Sequence, residues 1–261
     1  MKLCLSIEIQ EGLSYAQTLA LTQAAESLNF ESALLAEHYL PSGVASQYTE
    51  DPISADAWIY LAGLSRETRS IRLGTLVSPV TFRHPVVLAK MAATLDHLSN
   101  GRAELGIGAG WLESEHSMFG FSFPAPARRV DLVQEQLEVI NGLWSTDPFT
   151  YTGQHYQVQA AHFTPKPVQQ PRPTIIVGGR TTSQRLPRLA GRYADEFVIG
   201  QPHPRLFATR ARCWTPPARL PGAILPALHS PRLCPSASGP AAPKWTRKWS
   251  AIGRPTRSTC A

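Results

Sequence analysis

Two short runs constrain this chain more than any other feature. Ile71–Val77 and Ala103–Ile107 are almost continuously apolar, and each lies between segments of helical character. A strand with one wet face alternates apolar and polar residues. A run apolar at nearly every position is the mark of a strand covered on both faces, as in a parallel sheet flanked by helices. The surrounding pattern agrees. Lys2–Ile9 reads as a strand, and Ser14 opens a helix with Gln17 placed for a capping box. A strand at Ser32–Ala36, a loop over Glu37–Asp51 and a helix through Ala55–Ser65 come next. Pro85 suits the first turn of a helix running to about Leu98. Between Pro124 and Trp144, the residues Val130, Val133, Leu137, Ile140 and Trp144 recur at spacings of three and four, so they share one helix face. Phe149–Thr152 and His155–Val158 around Gly153 predict a hairpin. A strand at Thr174–Val177, a helix over Thr182–Tyr193 and a strand at Glu196–Ile199 complete the series. Six strands alternating with helices define a parallel α/β protein, and patterning alone leaves barrel and open sheet both available.

The series stops after about Arg210, and the charge changes with it. Residues 1–200 carry 15 Lys/Arg and 19 Asp/Glu, a net of −4, whereas 201–261 carry 10 Lys/Arg and no acid, a net of +10. Eleven of the 23 prolines also fall in 201–261. The overall basicity therefore belongs to the last segment, and the patterned part gives no support for a nucleic-acid or membrane partner. Composition alone predicts a disordered Pro/Arg/Ala-rich tail. A sharper expectation comes from the genetic code. GC-rich codons for Arg210–Leu225, read two bases later, can encode Arg-Ala-Leu-Leu-Asp-Ala-Ala-Cys-Pro-Ala-Ala-Gly-Arg-Asp-Pro, an amphipathic helix with a Gly stop and a following Pro. The hypothesis is a frameshift near Arg210–Cys213. Sequencing the gene tests it, and the absence of any βα pattern in another frame would refute it.

Met1–Gln10 lacks a basic region leading into a long apolar run, so no signal peptide is expected, and no stretch reaches the ~18 apolar residues of a membrane span. The four cysteines, Cys4, Cys213, Cys234 and Cys260, fit neither a disulfide framework nor a zinc site, which points to a cytoplasmic protein without a metal.

Polar and glycine residues cluster just after the expected strands, where α/β sites lie. They are Ala36-Glu37-His38-Tyr39, Gly74–Pro79 continuing through Thr81–Pro85, Gly106-Ile107-Gly108-Ala109-Gly110-Trp111 with Glu113 and Glu115, and Val177–Ser183. Gly178-Gly179-Arg180 leads from a strand into a helix. Glycines allow close backbone approach, and helix N-terminal N–H groups attract phosphate, with Arg180 adding a cation. The Gly106–Gly110 run is not a dinucleotide fingerprint, because its third glycine is displaced. His38 beside Glu37 pairs an imidazole with a carboxylate, an arrangement suited to proton transfer as well as to a structural hydrogen bond.

Together these segments resemble the luciferase-like monooxygenase family. Ile71-Arg-Leu-Gly-Thr through Pro85, Ala92 to Leu98, and Gly101-Arg-Ala-Glu-Leu-Gly-Ile-Gly-Ala-Gly-Trp111 resemble its most characteristic stretch. Pro165-Lys-Pro-Val168, Ile175-Ile-Val-Gly-Gly-Arg180 and Tyr193-Ala-Asp-Glu196 resemble its phosphate-loop region and the helix and strand beyond. The likeness covers residues 1 to about 200 and is strongest for the branch using the deazaflavin coenzyme F420, with FMN the alternative. It implies a (β/α)8 TIM barrel, here incomplete at about six strands, in a domain of residues 1–205 followed by the aberrant tail 206–261. It also implies a non-proline cis peptide near Leu76, Val77 and Ser78 backing the cofactor ring. By the same resemblance His38 and Glu37 are catalytic, Gly108, Gly110 and Trp111 lie along the ring and substrate, and Gly178, Gly179 and Arg180 lie at the cofactor phosphate. Trp111 departs from relatives with an acidic residue there, and Glu113 or Glu115 is the candidate substitute. The implied activity is F420-dependent hydride transfer to or from a small organic substrate. The alternatives are an FMN-dependent monooxygenase using oxygen, or an inactive truncated fragment. A homodimer is the assembly expected of an intact fold. An open six-strand sheet would leave an edge and apolar surface uncovered, so poor stability and weak cofactor binding are expected of this chain.

Overall fold

The computed structural model describes residues 3–41, 54–179 and 184–199. The tail 206–261, the frameshift expectation and Arg180 lie outside the described residues.

The chain begins with β1 (Cys4–Ile7), a single 3-10 turn (Ile9–Glu11), α1 (Tyr15–Ser27) and β2 (Ser32–Leu35). The expected capping box opens α1: the Ser14 hydroxyl accepts from the Gln17 N–H, and the Gln17 side chain accepts from the Ser14 N–H at 2.9 Å. After α2 (Ala57–Glu67), capped by Asp56, come β3 (Arg72–Thr75), β4 (Ser78–Pro79) and α3 (Pro85–Leu98). Pro85 occupies the first turn of α3, where its missing N–H costs nothing, and the His84 imidazole accepts from the Val86 N–H. Then follow β5 (Ala103–Gly108), α4 (Glu113–Phe119), α5 (Pro126–Ser145), β6 (Phe149–Thr152), β7 (Gln157–Ala161), β8 (Thr174–Gly179), α6 (Arg185–Tyr193) and β9 (Glu196–Ile199).

One parallel sheet runs β1-β2-β3-β5-β8-β9, with β4 adding to β5, and β6 and β7 form a separate antiparallel hairpin. This mostly parallel sheet with packed helices is the barrel-forming α/β architecture expected, and among the described residues it is an incomplete barrel. The all-buried strands follow from their composition: Leu73, Leu105, Ile107 and Val177 are inaccessible to solvent. The α5 face carrying Val133, Leu137 and Ile140 is equally buried and packs on α3. Among the described residues no helix is long and apolar enough to cross a membrane.

Two local features differ from the sequence expectation. The run Ile71–Val77 is not one strand: β3 ends at Thr75, a cis peptide joins Leu76 to Val77, and pairing with β5 resumes at Ser78↔Ile107. Apolar periodicity reports burial, which persists across the break, and carries no mark of where the pairing shifts. Helix α4 stands in a segment to which the sequence reading assigned no element, because its seven residues are too few to show a 3.6-residue period. Only Gly120, at φ +73° just past its end, signals the stop.

Candidate active site at the strand carboxyl ends

Strand register places the site. Leu35 pairs Thr75, and Gly108 pairs Gly178, so the segments after β2, β3, β5 and β8 leave the sheet at the same end. Ligand sites of parallel α/β proteins lie at that end.

Glu37 and His38 follow β2, and successive residues of extended chain point to opposite sides. Glu37 turns inward and is 2% exposed. Its carboxylate accepts from the Arg83 guanidinium and from Trp58 Nε1 at 3.3 Å. Arg83 also donates to Asp56 Oδ2 at 3.1 Å and to the Tyr39 hydroxyl at 3.0 Å. Burial pushes the Glu37 carboxyl above its ordinary range, and Arg83 offsets part of that rise. Burial opposes the charge of Arg83, yet Glu37, Tyr39 and Asp56 hold it above its usual value. This network fixes the chain as it leaves β2.

His38 faces the other way. Its Nδ1 lies 2.9 Å from Glu115 Oε1, and the Tyr39 N–H donates to Glu115 Oε2 at 3.0 Å. The carboxylate that touches His38 is therefore Glu115, wholly buried on α4, and not its sequence neighbour Glu37. Trp111 meets the His38 ring edge-on, with centroids 5.6 Å apart. Ser54 donates to the His38 carbonyl at 2.8 Å, which anchors the chain again at the start of α2.

The next residue on α4 secures the helix. His116 is fully buried, with Nδ1 2.7 Å from the Leu112 carbonyl and Nε2 2.6 Å from Thr81 Oγ1. A carbonyl can only accept, so the proton sits on Nδ1 and Nε2 accepts from the Thr81 hydroxyl. Gly110 supplies the turn into α4 at φ +74°, a conformation that disfavours a side chain.

The floor between these walls is formed at the Leu76–Val77 bulge. A Cβ on Gly108 would lie 2.5 Å from Val77 Cγ2, and one on Gly178 would lie 2.7 Å from Val77 Cγ1. Both glycines thus make room for Val77. Gly179 does the same for Leu186, whose Cδ2 would be 2.4 Å from an added Cβ. The Ser78 hydroxyl is turned into the protein, donating to Thr75 Oγ1 at 3.1 Å and accepting from Trp58 Nε1 at 3.2 Å. Val77 and Leu76 are half-buried, and Trp111 is 49% exposed. The structure brings His38 and Trp111 together with Glu115, and it seats the Val77 bulge on Gly108 and Gly178, while Gly179 packs against Leu186 and Arg180 lies outside the described residues. The supports Asp56, Trp58, Thr81, Arg83 and His116 were not singled out as site residues by sequence. Thr81 and Arg83 stand in the polar stretch after the third expected strand, which was their available signal.

The profile of the luciferase-like monooxygenase family matches residues 3–214. The chain belongs to the luciferase-like monooxygenase family. Among family relatives, an F420-dependent glucose-6-phosphate dehydrogenase of Amycolatopsis mediterranei is 30% identical over 175 residues, which are 67% of this chain and 50% of the relative. Pyrimidine monooxygenase RutA of Acinetobacter baylyi is 28% identical over 196 residues, 72% of this chain and 50% of the relative. The chain thus spans about half the length of these curated relatives. A solved F420-dependent secondary alcohol dehydrogenase superposes with a TM-score of 0.69 at 23% identity, over 81% of this chain and 64% of that one, a likeness of fold. The resemblance drawn from Ile71–Trp111 and Ile175–Glu196 therefore named the right family. Its match ends within four residues of Arg210, where the sequence pattern itself changes.

Proposed function

We propose that this family member is an F420-dependent oxidoreductase that moves a hydride to or from a small organic substrate, with His38 as its proton-transferring group. The observation that carries the reading is the His38–Glu115 pair, set beside Trp111 and the Leu76–Val77 bulge at the carboxyl ends of the strands. What supports a flat ring here is the half-buried Val77 side chain, an apolar surface seated closely on Gly108 and Gly178, whose missing side chains make room for it. Leu76, Val77, Gly108, Gly110, Trp111 and the Ser78 backbone would hold the ring, and Gly178, Gly179 and Arg180 the phosphate end. Either coenzyme, when bound, supplies a ring that takes up or releases two electrons as a hydride.

The protein's own part is positional and acid–base. With Nδ1–H donating to the Glu115 carboxylate, His38 carries its lone pair on Nε2 and can take a proton from a substrate hydroxyl. Glu115 keeps the imidazole in that tautomer, as it also holds the Tyr39 N–H. The buried Glu37–Arg83–Asp56 network acts through the backbone, fixing where His38 leaves β2. Glu37 is accordingly proposed here as a positioning residue and not as an acid in contact with substrate.

A second reading, an FMN-dependent monooxygenase, is favoured by the comparable similarity to pyrimidine monooxygenase RutA. Absorbance titrations of the full chain with F420 and with FMN test both readings. The proposal expects a saturable spectral change with F420 and a smaller or absent one with FMN. The opposite preference supports the second reading, and no change with either supports an inactive chain.

A further inference from the structure

Arg129, in the first turn of α5, is a buried cation without a matching anion. It is 8% exposed, and its guanidinium lies 3.8 Å over the Phe123 ring. Nη1 donates to the Pro124 carbonyl at 2.5 Å, which folds the side chain back to the start of its own helix. The Nε–H is sealed from solvent and meets no acceptor. Nη2 has no hydrogen bond among the described residues and is not sealed in the same way, so it opens that edge to solvent. Nε–H and Nη2–H point the same way, and together they are the side-on fork with which arginine takes two oxygens of a carboxylate or phosphate. The edge already in use is the other one.

Position sharpens the mismatch. A helix dipole places partial positive charge at the amino end, where acids and not arginines are favoured. No side chain caps this end of α5, Pro126 has no N–H to offer, and the N–H groups of Ala127 and Arg128 have no partner within the helix. Ala125, Pro126, Ala127 and Arg128 are exposed, so the end is open to solvent, and Arg128 adds a second cation. Burial works against the charge of Arg129, and Glu113, exposed on α4, offsets part of that cost from a distance. A guanidinium fork and free N–H groups at a helix amino end are the two devices that replace the water of an oxyanion. The same place adjoins the site already described. Glu115 binds His38, the next residue His116 packs on Phe123 at 4.5 Å, and Phe123 carries Arg129.

Building on the placement of the reaction at His38, we propose that Arg129 and the amino end of α5 form an oxyanion subsite, which holds a phosphate or carboxylate group of the substrate at a distance from its reacting carbon. The Nε/Nη2 fork takes two oxygens, and the first-turn N–H groups take another. Phe123 supports the guanidinium from below, and Glu113 is the acid that a bound oxyanion would have to face. The subsite is separate in sequence from Gly178–Arg180, the segment proposed above for the coenzyme phosphate.

Ligand-observed NMR on the full chain tests the proposal with phenyl phosphate and its neutral counterpart, phenol. Phenyl phosphate is expected to bind at least about 10-fold tighter than phenol, a factor equal to about 1.4 kcal/mol. Arg129→Gln should remove that advantage, and Arg129→Lys, which keeps the charge without the fork, should restore only part of it. Glu113→Gln removes the opposing carboxylate and should tighten phenyl phosphate about 2- to 5-fold, an effect that a purely structural arginine would not produce. Arg188→Gln, at an exposed position on α6, should change nothing. Equal binding of the two probes overturns the proposal, as does an affinity indifferent to Arg129→Gln or an equal loss in Arg188→Gln. If circular dichroism shows Arg129→Gln unfolded, Glu113→Gln decides, and an unchanged affinity there overturns the proposal. F420 titrations on the same samples separate the sources of the oxyanion. Loss of F420 binding in Arg129→Gln with phenyl phosphate unaffected gives the subsite to the coenzyme and overturns the substrate assignment. Phenyl phosphate binding that depends on Arg129, without any coenzyme signal, supports the subsite and refutes the coenzyme reading alone.

Discussion

The packing of Val77 between two glycines makes a sharp prediction about Gly178→Ala. The three atoms nearest an added Cβ all belong to Val77: Cγ1 at 2.7 Å, Cγ2 at 3.5 Å and Cβ at 3.7 Å. The first distance is far inside van der Waals contact, and the other Val77 methyl sits equally close to Gly108, where an added Cβ would lie 2.5 Å from Cγ2. Gly178 lies within β8 with no positive φ, so alanine strains nothing in the backbone itself. The cost is therefore steric, about 1–3 kcal/mol for an extra methyl in a packed site. Val77→Ala alone removes two half-buried methyl groups and costs about 1 kcal/mol. In the double variant every remaining atom is at least 3.7 Å from the new Cβ, an ordinary contact. Its stability should match that of Val77→Ala, giving a coupling of about 1–3 kcal/mol, well beyond additivity. Urea unfolding of the four proteins, followed by fluorescence and circular dichroism, measures the cycle. Gly106→Ala is the control, since its Cβ would lie 1.9 Å from the Thr75 carbonyl oxygen, which no side-chain trimming relieves. Additive effects at positions 77 and 178, or a neutral Gly178→Ala, would refute the packing argument.

Other outcomes follow from the same geometry. His38→Ala should lower kcat by about 10²–10⁴-fold if the imidazole transfers the proton. Glu115→Gln should lower kcat less and leave KM nearly unchanged, as steady-state kinetics with the preferred coenzyme would read. Arg83→Ala strands the buried Glu37 carboxyl and should cost about 3–5 kcal/mol at neutral pH. Because burial already raises the Glu37 pKa, that deficit should shrink as pH falls through and below 4.5, where the carboxyl becomes protonated in both folded and unfolded chains. Glu26 behaves oppositely. Burial alone would raise its carboxyl, but hydrogen bonds from the backbone of Ile71, Ser70 and Arg69 and from the Ser70 hydroxyl hold it down, from 4.5 to about 2. Its contribution is full above pH 4.5 and is lost as pH falls toward 2. Glu26→Gln should cost about 1–2 kcal/mol at pH 7, after discounting for solvent at this half-exposed position, and little at pH 2 in thermal melts.

The sequence by itself determined the main alternation of strands and helices, though not helix α4 or the break between β3 and β4, and it pointed to the strand carboxyl ends as the candidate site. The capping pair Ser14/Gln17, Pro85 at the start of α3 and the α5 stripe are local signals, written within a turn or two of where they act, and the structure carries each of them. The position of the cis bond at Leu76–Val77 came only through family likeness, because the backbone break leaves the burial pattern of Ile71–Val77 undisturbed. What tertiary structure decided was which groups meet. His38 was legible as a candidate site residue, but its carboxylate partner lies 77 positions away on a helix too short to announce itself. The adjacent Glu37 was the natural choice from sequence, and extended geometry sends it to the opposite side, into the arms of Arg83 and Trp58. Glycines 108 and 178 read as room for a ligand, and the fold shows them first as room for Val77. Side-chain direction and long-range pairing depend on strand register and helix packing, and neither is encoded within any local window of residues.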